Sequence, residues 1–196
     1  MTNERSSLIT IGGEKYEMIL TTRATKAISN RYGGLDNLGD KLMKSENMEM
    51  ALDEIIWLIT LLCNQSIEIY NLRNSDKKPL LTEETVELLT SPGELAEYKD
   101  AITEAMLKGT KRNVESEHRA GVADTSKKRS NSRVNDAELF TRLFYYGTAQ
   151  LHLSSEEVWL MPFGFLLDLW ECHKQFMGIT KPKREADIDE VVPMGI

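Results

Sequence analysis

The chain has 196 residues, 41% hydrophobic and 28% charged, which fits one globular domain or two small ones and is ordinary for a soluble protein. Its formal net charge of −7 makes free nucleic acid a poor general partner, because a polyanion is repelled. Residues 1–8, MTNERSSL, hold no apolar signal region, and the longest apolar run, residues 55–63, is broken by Thr60 and far too short to span a bilayer, so the cytoplasm is the expected compartment.

Cys63 and Cys172 lie far apart, each within an apolar helical pattern, and both are expected to be reduced. Nine methionines supply adaptable apolar side chains suited to surfaces that re-pack on binding.

Residues 8–20, LITIGGEKYEMIL, predict a β-hairpin. Ile9 and Ile11 alternate with polar neighbours, Tyr16, Met18 and Leu20 do the same on the return, and Gly12-Gly13 can supply the positive φ of a tight turn. A lone hairpin is marginal in water, so it must lean on the helices that follow. Gly12-Gly13 is no phosphate loop, since no lysine and hydroxyl pair follows at the required spacing. Thr22 is placed as the cap of a helix over 23–32 that Gly33-Gly34 ends. A short helix is expected near 36–43. The longest periodic element covers about 48–72, where Leu52, Ile55, Ile56, Ile59, Leu62, Cys63 and Ile69 form a wide apolar stripe. This is the expected spine of the N-terminal domain, with Trp57 off the centre of the stripe and partly exposed. Thr82 caps a short helix through Leu89. Ser91-Pro92-Gly93-Glu94 has the spacing of a capping box with proline at the first helical position, predicting a helix to Met106 or Leu107 with Leu95, Tyr98, Ile102 and Met106 on one face.

Composition changes over 109–135. The stretch lacks aromatics, is rich in Ser, Asn, Lys and Arg, and reads as a flexible polar linker; as a coil of roughly 27 residues it would span about 25–30 Å. Apolar weight then concentrates over 136–177. All five phenylalanines lie there, with Trp159, Trp170, Tyr145 and Tyr146. Asp136 caps a helix whose face carries Leu139, Phe140, Leu143 and Phe144. Ser154 and Glu157 have capping-box spacing, and Pro162 opens a last helix carrying Phe165, Leu166, Leu169, Trp170, His173 and Phe176 until Gly178 stops it. A unit this short cannot bury so much aromatic area by itself. Tyr145, Tyr146, Trp159 and Phe163 do not all fit one inward face, so with Trp57 they are the candidate partner-binding residues. The tail is charged and read as disordered. The expected architecture is mainly α: an N-terminal helical domain with a β-hairpin over 1–108, the linker over 109–135, a separate aromatic-rich helical module over 136–178 and the tail over 179–196.

Motifs for chemistry are missing. The three histidines are His118, in the linker, His152 and His173; Cys172 and His173 are adjacent and do not share a helix face. No nucleophile elbow, Walker motif, zinc-protease motif or dinucleotide fingerprint is present, and the carboxylates read as caps and solvated helix faces. No catalytic residue, cofactor or metal is assigned, and a non-enzymatic binding protein is expected. A helical regulatory adaptor contacting nucleic acid or an acidic partner through Lys127-Lys128-Arg129 is the alternative reading.

Residues 9–38, ITIGGEKYEMILTTRATKAISNRYGGLDNL, resemble the opening of the tail assembly chaperones of long-tailed bacteriophages, where a short β segment leads to a helix ending in glycine and a Leu-rich turn. Residues 81–106 are similar to that family's closing helices. Residues 144–171, FYYGTAQLHLSSEEVWLMPFGFLLDLWE, look like the C-terminal module of its longer form, with a small-residue turn, an acidic stretch ending in Trp159 and a helix started by Pro162. Met161 departs from the pattern, since a hydroxyl cap commonly precedes that proline. The resemblance implies a non-catalytic protein of the host bacterial cytoplasm that binds the tape measure protein, recruits tail tube protein and is absent from finished tails. It also implies shorter and longer products made by programmed frameshifting. Self-association is a further expectation, and no membrane partner is expected. Lys127-Lys128 would mark the slippery stretch.

Overall fold

The computed structural model of the chain describes residues 4–34, 37, 48–115 and 136–182. The protein is mainly helical, with a two-stranded antiparallel hairpin at its start: β1 (Ser6–Ile11) and β2 (Glu14–Ile19), in register from Ser6 opposite Ile19 to Ile11 opposite Glu14. The turn needs its glycines, since Gly12 and Gly13 carry φ of 57° and 85°, the two consecutive positive values of a tight hairpin. Ile9, Ile11 and Met18 point into the core and Leu8 points out.

Helix α1 (Thr22–Tyr32) follows directly and ends at Gly33. Its cap is Thr21, one residue earlier than expected: the Thr21 hydroxyl accepts the Ala24 N–H at 3.1 Å. Thr22 cannot serve, because its N–H and hydroxyl are both directed to the Met161 carbonyl. The short helix expected near 36–43 lies outside the described residues, Asn37 excepted; the Asn37 amide donates to the carbonyls of Tyr32 and Gly33.

Helix α2 (Met48–Arg73) is the spine. Ile55, Leu58, Ile59, Leu62 and Cys63 are fully buried between the hairpin and helices α3 (Glu83–Leu89) and α4 (Leu95–Thr110). Burial thus extends past the expected stripe to Leu58, because α2 is covered on more than one side. Leu52–Arg73 is long and apolar enough to cross a bilayer by length and composition, more than the 55–63 run indicated, and its central apolar side chains are core residues here. Thr82 caps α3, and the Glu94 carboxylate accepts the Ser91 N–H and hydroxyl at the 3-10 turn before α4. Helix α4 straps β1: Tyr98 donates to the Thr10 carbonyl, Ser7 donates to the Ala101 carbonyl and Lys108 to that of Ser6, which occupies the open strand edge.

Order persists past the expected start of the linker. Gly109 and Thr110 belong to α4, and hydrogen bonds hold the chain as far as Glu115. Residues 116–135, with His118 and Lys127-Lys128-Arg129, lie outside the described residues, as does the tail beyond Pro182. The C-terminal part contains α5 (Asp136–Tyr145), a π turn (Tyr146–Gln150), α6 (Ser155–Leu160) and α7 (Phe163–Phe176). Its own core is small: Phe140, Leu143, Val158, Phe163 and Leu166.

The two cysteines sit in opposite environments. Burial pushes the Cys63 thiol up to about 12, whereas Cys172 is exposed on α7. Since the thiolate is the reactive form, a thiol reagent at pH 8 is expected to modify Cys172 alone in the native protein and Cys63 only after denaturation. Mass spectrometry of the labelled peptides checks this; rapid native labelling of Cys63 would contradict the packing of α2.

Candidate functional site: a junction groove and an aromatic ridge

The site is built around the break between α6 and α7. Ser154 and Glu157 close the expected capping box, with the Ser154 hydroxyl accepting the Glu157 N–H at 3.2 Å and the carboxylate accepting the Ser154 N–H at 2.8 Å. Met161 stops α6 in extended conformation and Pro162 lets α7 begin at once. This leaves strand-like backbone, which pairs with the exit of the hairpin. The Thr22 N–H donates to the Met161 carbonyl at 2.9 Å and the Phe163 N–H to the Leu20 carbonyl at 3.1 Å. Met161 is thus explained by its backbone rather than by a side-chain cap.

A buried ion cluster locks the same junction. Arg5 and Asp168 are 6% and 3% exposed, and their side chains meet at 2.7 Å. Asp168 also accepts Arg112 Nε at 2.9 Å and the backbone N–H groups of Asn113 and Val114 at 3.1–3.2 Å. Arg5 donates in addition to the Lys111 carbonyl at 2.6 Å and lies 5.5 Å from the centre of the Phe165 ring. Burial pushes the Asp168 carboxyl up, but Arg112, the two N–H groups and Arg5 outweigh it and hold the group below its ordinary value. Glycines let α4 approach both α7 and the hairpin exit: a Cβ on Gly164 would fall 2.3 Å from the Lys111 carbonyl oxygen, and one on Gly109 would fall 2.4 Å from Leu20 Cβ.

The expectation that the carboxylates are caps and solvated groups fails at Asp168, and at Glu171, which is 6% exposed and accepts from Lys174 and Thr180. The signal for Asp168 was its place inside the apolar run of α7. Its partners could not be read locally, since they lie 54–163 residues away in sequence.

Beside this cluster runs an open groove of ≈ 750 Å³. It is lined by Ile69, Leu72 and Arg73 from the end of α2 and by Glu157, Leu160, Met161, Pro162 and Phe165 from the α6–α7 break, with Glu4, Arg5 and Asn113 completing it. Leu72 is 47% exposed. Arg73 has no ion-pair partner among the described residues.

A second apolar surface follows the outer side of the C-terminal helices. Tyr146 stacks on Trp170 at 4.1 Å, Trp170 stacks on His173 at 5.4 Å, and Tyr145 meets Tyr146 edge-on. Tyr145 is exposed, and the ridge runs out through Phe176, Met177 and Ile179, with Phe176 88% exposed.

The five candidate residues therefore separate. Tyr145 and Tyr146 are on the ridge. Trp159 is half-buried, stacked on Phe144 at 5.3 Å with the Lys26 ammonium 4.9 Å from its ring. Phe163 is 8% exposed and belongs to the small core, so it is corrected from surface contact to packing residue: α1 and the Leu20–Thr22 segment cover the side of the module that a free-standing unit would expose. Trp57 is half-buried under Arg31, 4.3 Å away, with Tyr32 at its edge. Sequence reading put Phe176 in the three–four pattern of the last helix without marking it as open, and missed the groove.

Among the described residues no group of three or more His, Cys, Asp or Glu is arranged to hold a metal. No family model, curated protein or solved structure matches the chain.

Proposed function

We propose that this protein is a non-catalytic tail assembly chaperone of a long-tailed bacteriophage or prophage, in the longer, frameshift-type form. It acts in the bacterial cytoplasm, binds the tape measure protein, recruits tail tube subunits and leaves before the tail is finished. The observation that carries the reading is the apolar surface that a well-packed helical protein keeps open, in the groove and along the ridge from Tyr145 to Ile179. Such surface marks a site for protein partners. It is supported by the meeting of the family-like segments at one place, where Leu20–Thr22 of the first pairs with Met161–Phe163 of the last.

The α2 stripe is core, so the two open surfaces divide the labour. The groove takes a helical partner, the tape measure protein, and the ridge takes the tube subunit. Co-purification tests this. Tyr145→Ala with Phe176→Ala is expected to lose tube protein, since truncating central aromatics at an interface costs ~2 kcal/mol or more, a loss of about thirtyfold in affinity. The pair should keep tape measure protein, and Leu72→Asp should do the reverse. Equal recovery of both partners by both variants would refute the assignment.

A further inference from the structure

The groove is made by two parts of the chain that are far apart in sequence. Ile69 and Leu72 come from α2, whereas Leu160, Met161, Pro162 and Phe165 come from the α6–α7 break. The walls keep their places through the Leu20–Thr22 backbone pairing and the buried Arg5–Asp168 pair, and Arg5 is both a lining residue and a member of that pair. If the C-terminal helices lifted away, one wall would leave with them.

We infer that this groove is a composite site for the apolar face of an amphipathic helix, and that helix binding and docking of the C-terminal helices on the hairpin reinforce each other. The inference rests on the reading of the groove as the helical partner's site, and adds how that site is regulated. The helix is chosen on charge. Arg73 on the α2 wall lacks an ion-pair partner among the described residues, and Glu157 on the facing wall accepts from the Ser154 N–H but from no described cation. An apolar strip with acidic residues on one flank and basic residues on the other matches both walls, and in one orientation only. A ligand that binds only the docked state must stabilise it by linkage.

The probe is a synthetic 18-residue helix with leucines at three–four spacing, glutamates on one flank and lysines on the other, added to the full chain. Docking is read as hydrogen exchange of the Thr22 and Phe163 amides, whose acceptors lie across the junction. At ten times its Kd the peptide should slow both amides about tenfold. Leu72→Asp, at an exposed position that the fold does not need, should weaken peptide binding at least tenfold without changing exchange in its absence. Asp168→Asn should speed exchange and weaken the peptide together. Peptide binding that leaves the two amides unchanged, or that is equal in wild type and Asp168→Asn, overturns the inference while leaving a helix-binding protein. So does slowed exchange that grows with protein concentration alone, since a second copy would then fill the groove. Absence of peptide binding up to millimolar concentration also overturns it, and the chaperone reading then stands or falls separately, on co-purification with tape measure protein.

Discussion

Replacing Ile59 with aspartate is expected to remove the cooperative thermal transition of the whole protein. Ile59 is fully buried at the centre of α2, within the cluster that joins hairpin, spine, α3 and α4. Aspartate there loses the apolar burial of isoleucine, about 1.5–3 kcal/mol. It also places a carboxylate among Ile, Leu and Val side chains with no cation to meet it, which costs several kcal/mol more even if the group protonates. Domain stabilities are typically ~5–15 kcal/mol, so the sum removes most or all of the margin. Circular dichroism should show the helical signal reduced at 25 °C or a melting point lowered by at least about 10 °C, at about 2–4 °C per kcal/mol for a chain of this size. Ile59→Val, which deletes one methylene, should cost only about 0.5–1.5 kcal/mol. An aspartate variant that melts like the wild type would mean that α2 presents a different face to the core.

What the sequence made legible was local. The hairpin follows from alternation plus Gly12-Gly13, α2 from a long apolar period, and the starts of α3, α4 and α6 from caps whose partners lie three residues away. Errors begin where a distant segment competes for a local group. Thr22 looks like a cap as good as Thr21, but Met161, 139 residues away, takes its N–H and hydroxyl. Composition placed the linker's start at Gly109, and Asp168 holds the chain to Val114.

The candidate site was legible only as an excess of aromatics. Counting rings could not tell which would be covered, because covering depends on where the module docks. Docking is set by the Met161-Pro162 break, by Gly164 and Gly109, and by Arg5 with Asp168, none of which is aromatic. Phe163 therefore became core while Phe176, at the other end of the same helix, was left outside.

Asp168→Ala is expected to have the second largest effect, and to be selective. The substitution strands the Arg5 guanidinium, 6% exposed, with its Asp168 partner gone, and leaves the Asn113 and Val114 N–H groups short of their acceptor. Breaking a buried pair from one side costs about 3–5 kcal/mol. The loss falls on the junction, because the hydrogen-bond partners of Asp168 are Arg5, Arg112, Asn113 and Val114, none of them in the cluster around Ile59. In a urea titration in a Trp57→Phe background, the fluorescence of Trp159 and Trp170 should therefore change at lower denaturant than the far-ultraviolet helical signal, whereas the two coincide when Asp168 is present. Asp168→Asn, which keeps the shape but not the charge, should lie between. The pH dependence has a fixed sign. The carboxyl is held below its ordinary value of 3.8 in the folded protein, so its contribution is fully present above that value and is lost as pH falls through the lower, folded one. The stability gap between wild type and Asp168→Asn should accordingly be constant from about pH 7 to pH 5 and close below about pH 4. A gap that widens on acidification, or coincident urea transitions in Asp168→Ala at wild-type stability, would mean that the C-terminal helices are held by their backbone pairing and packing alone.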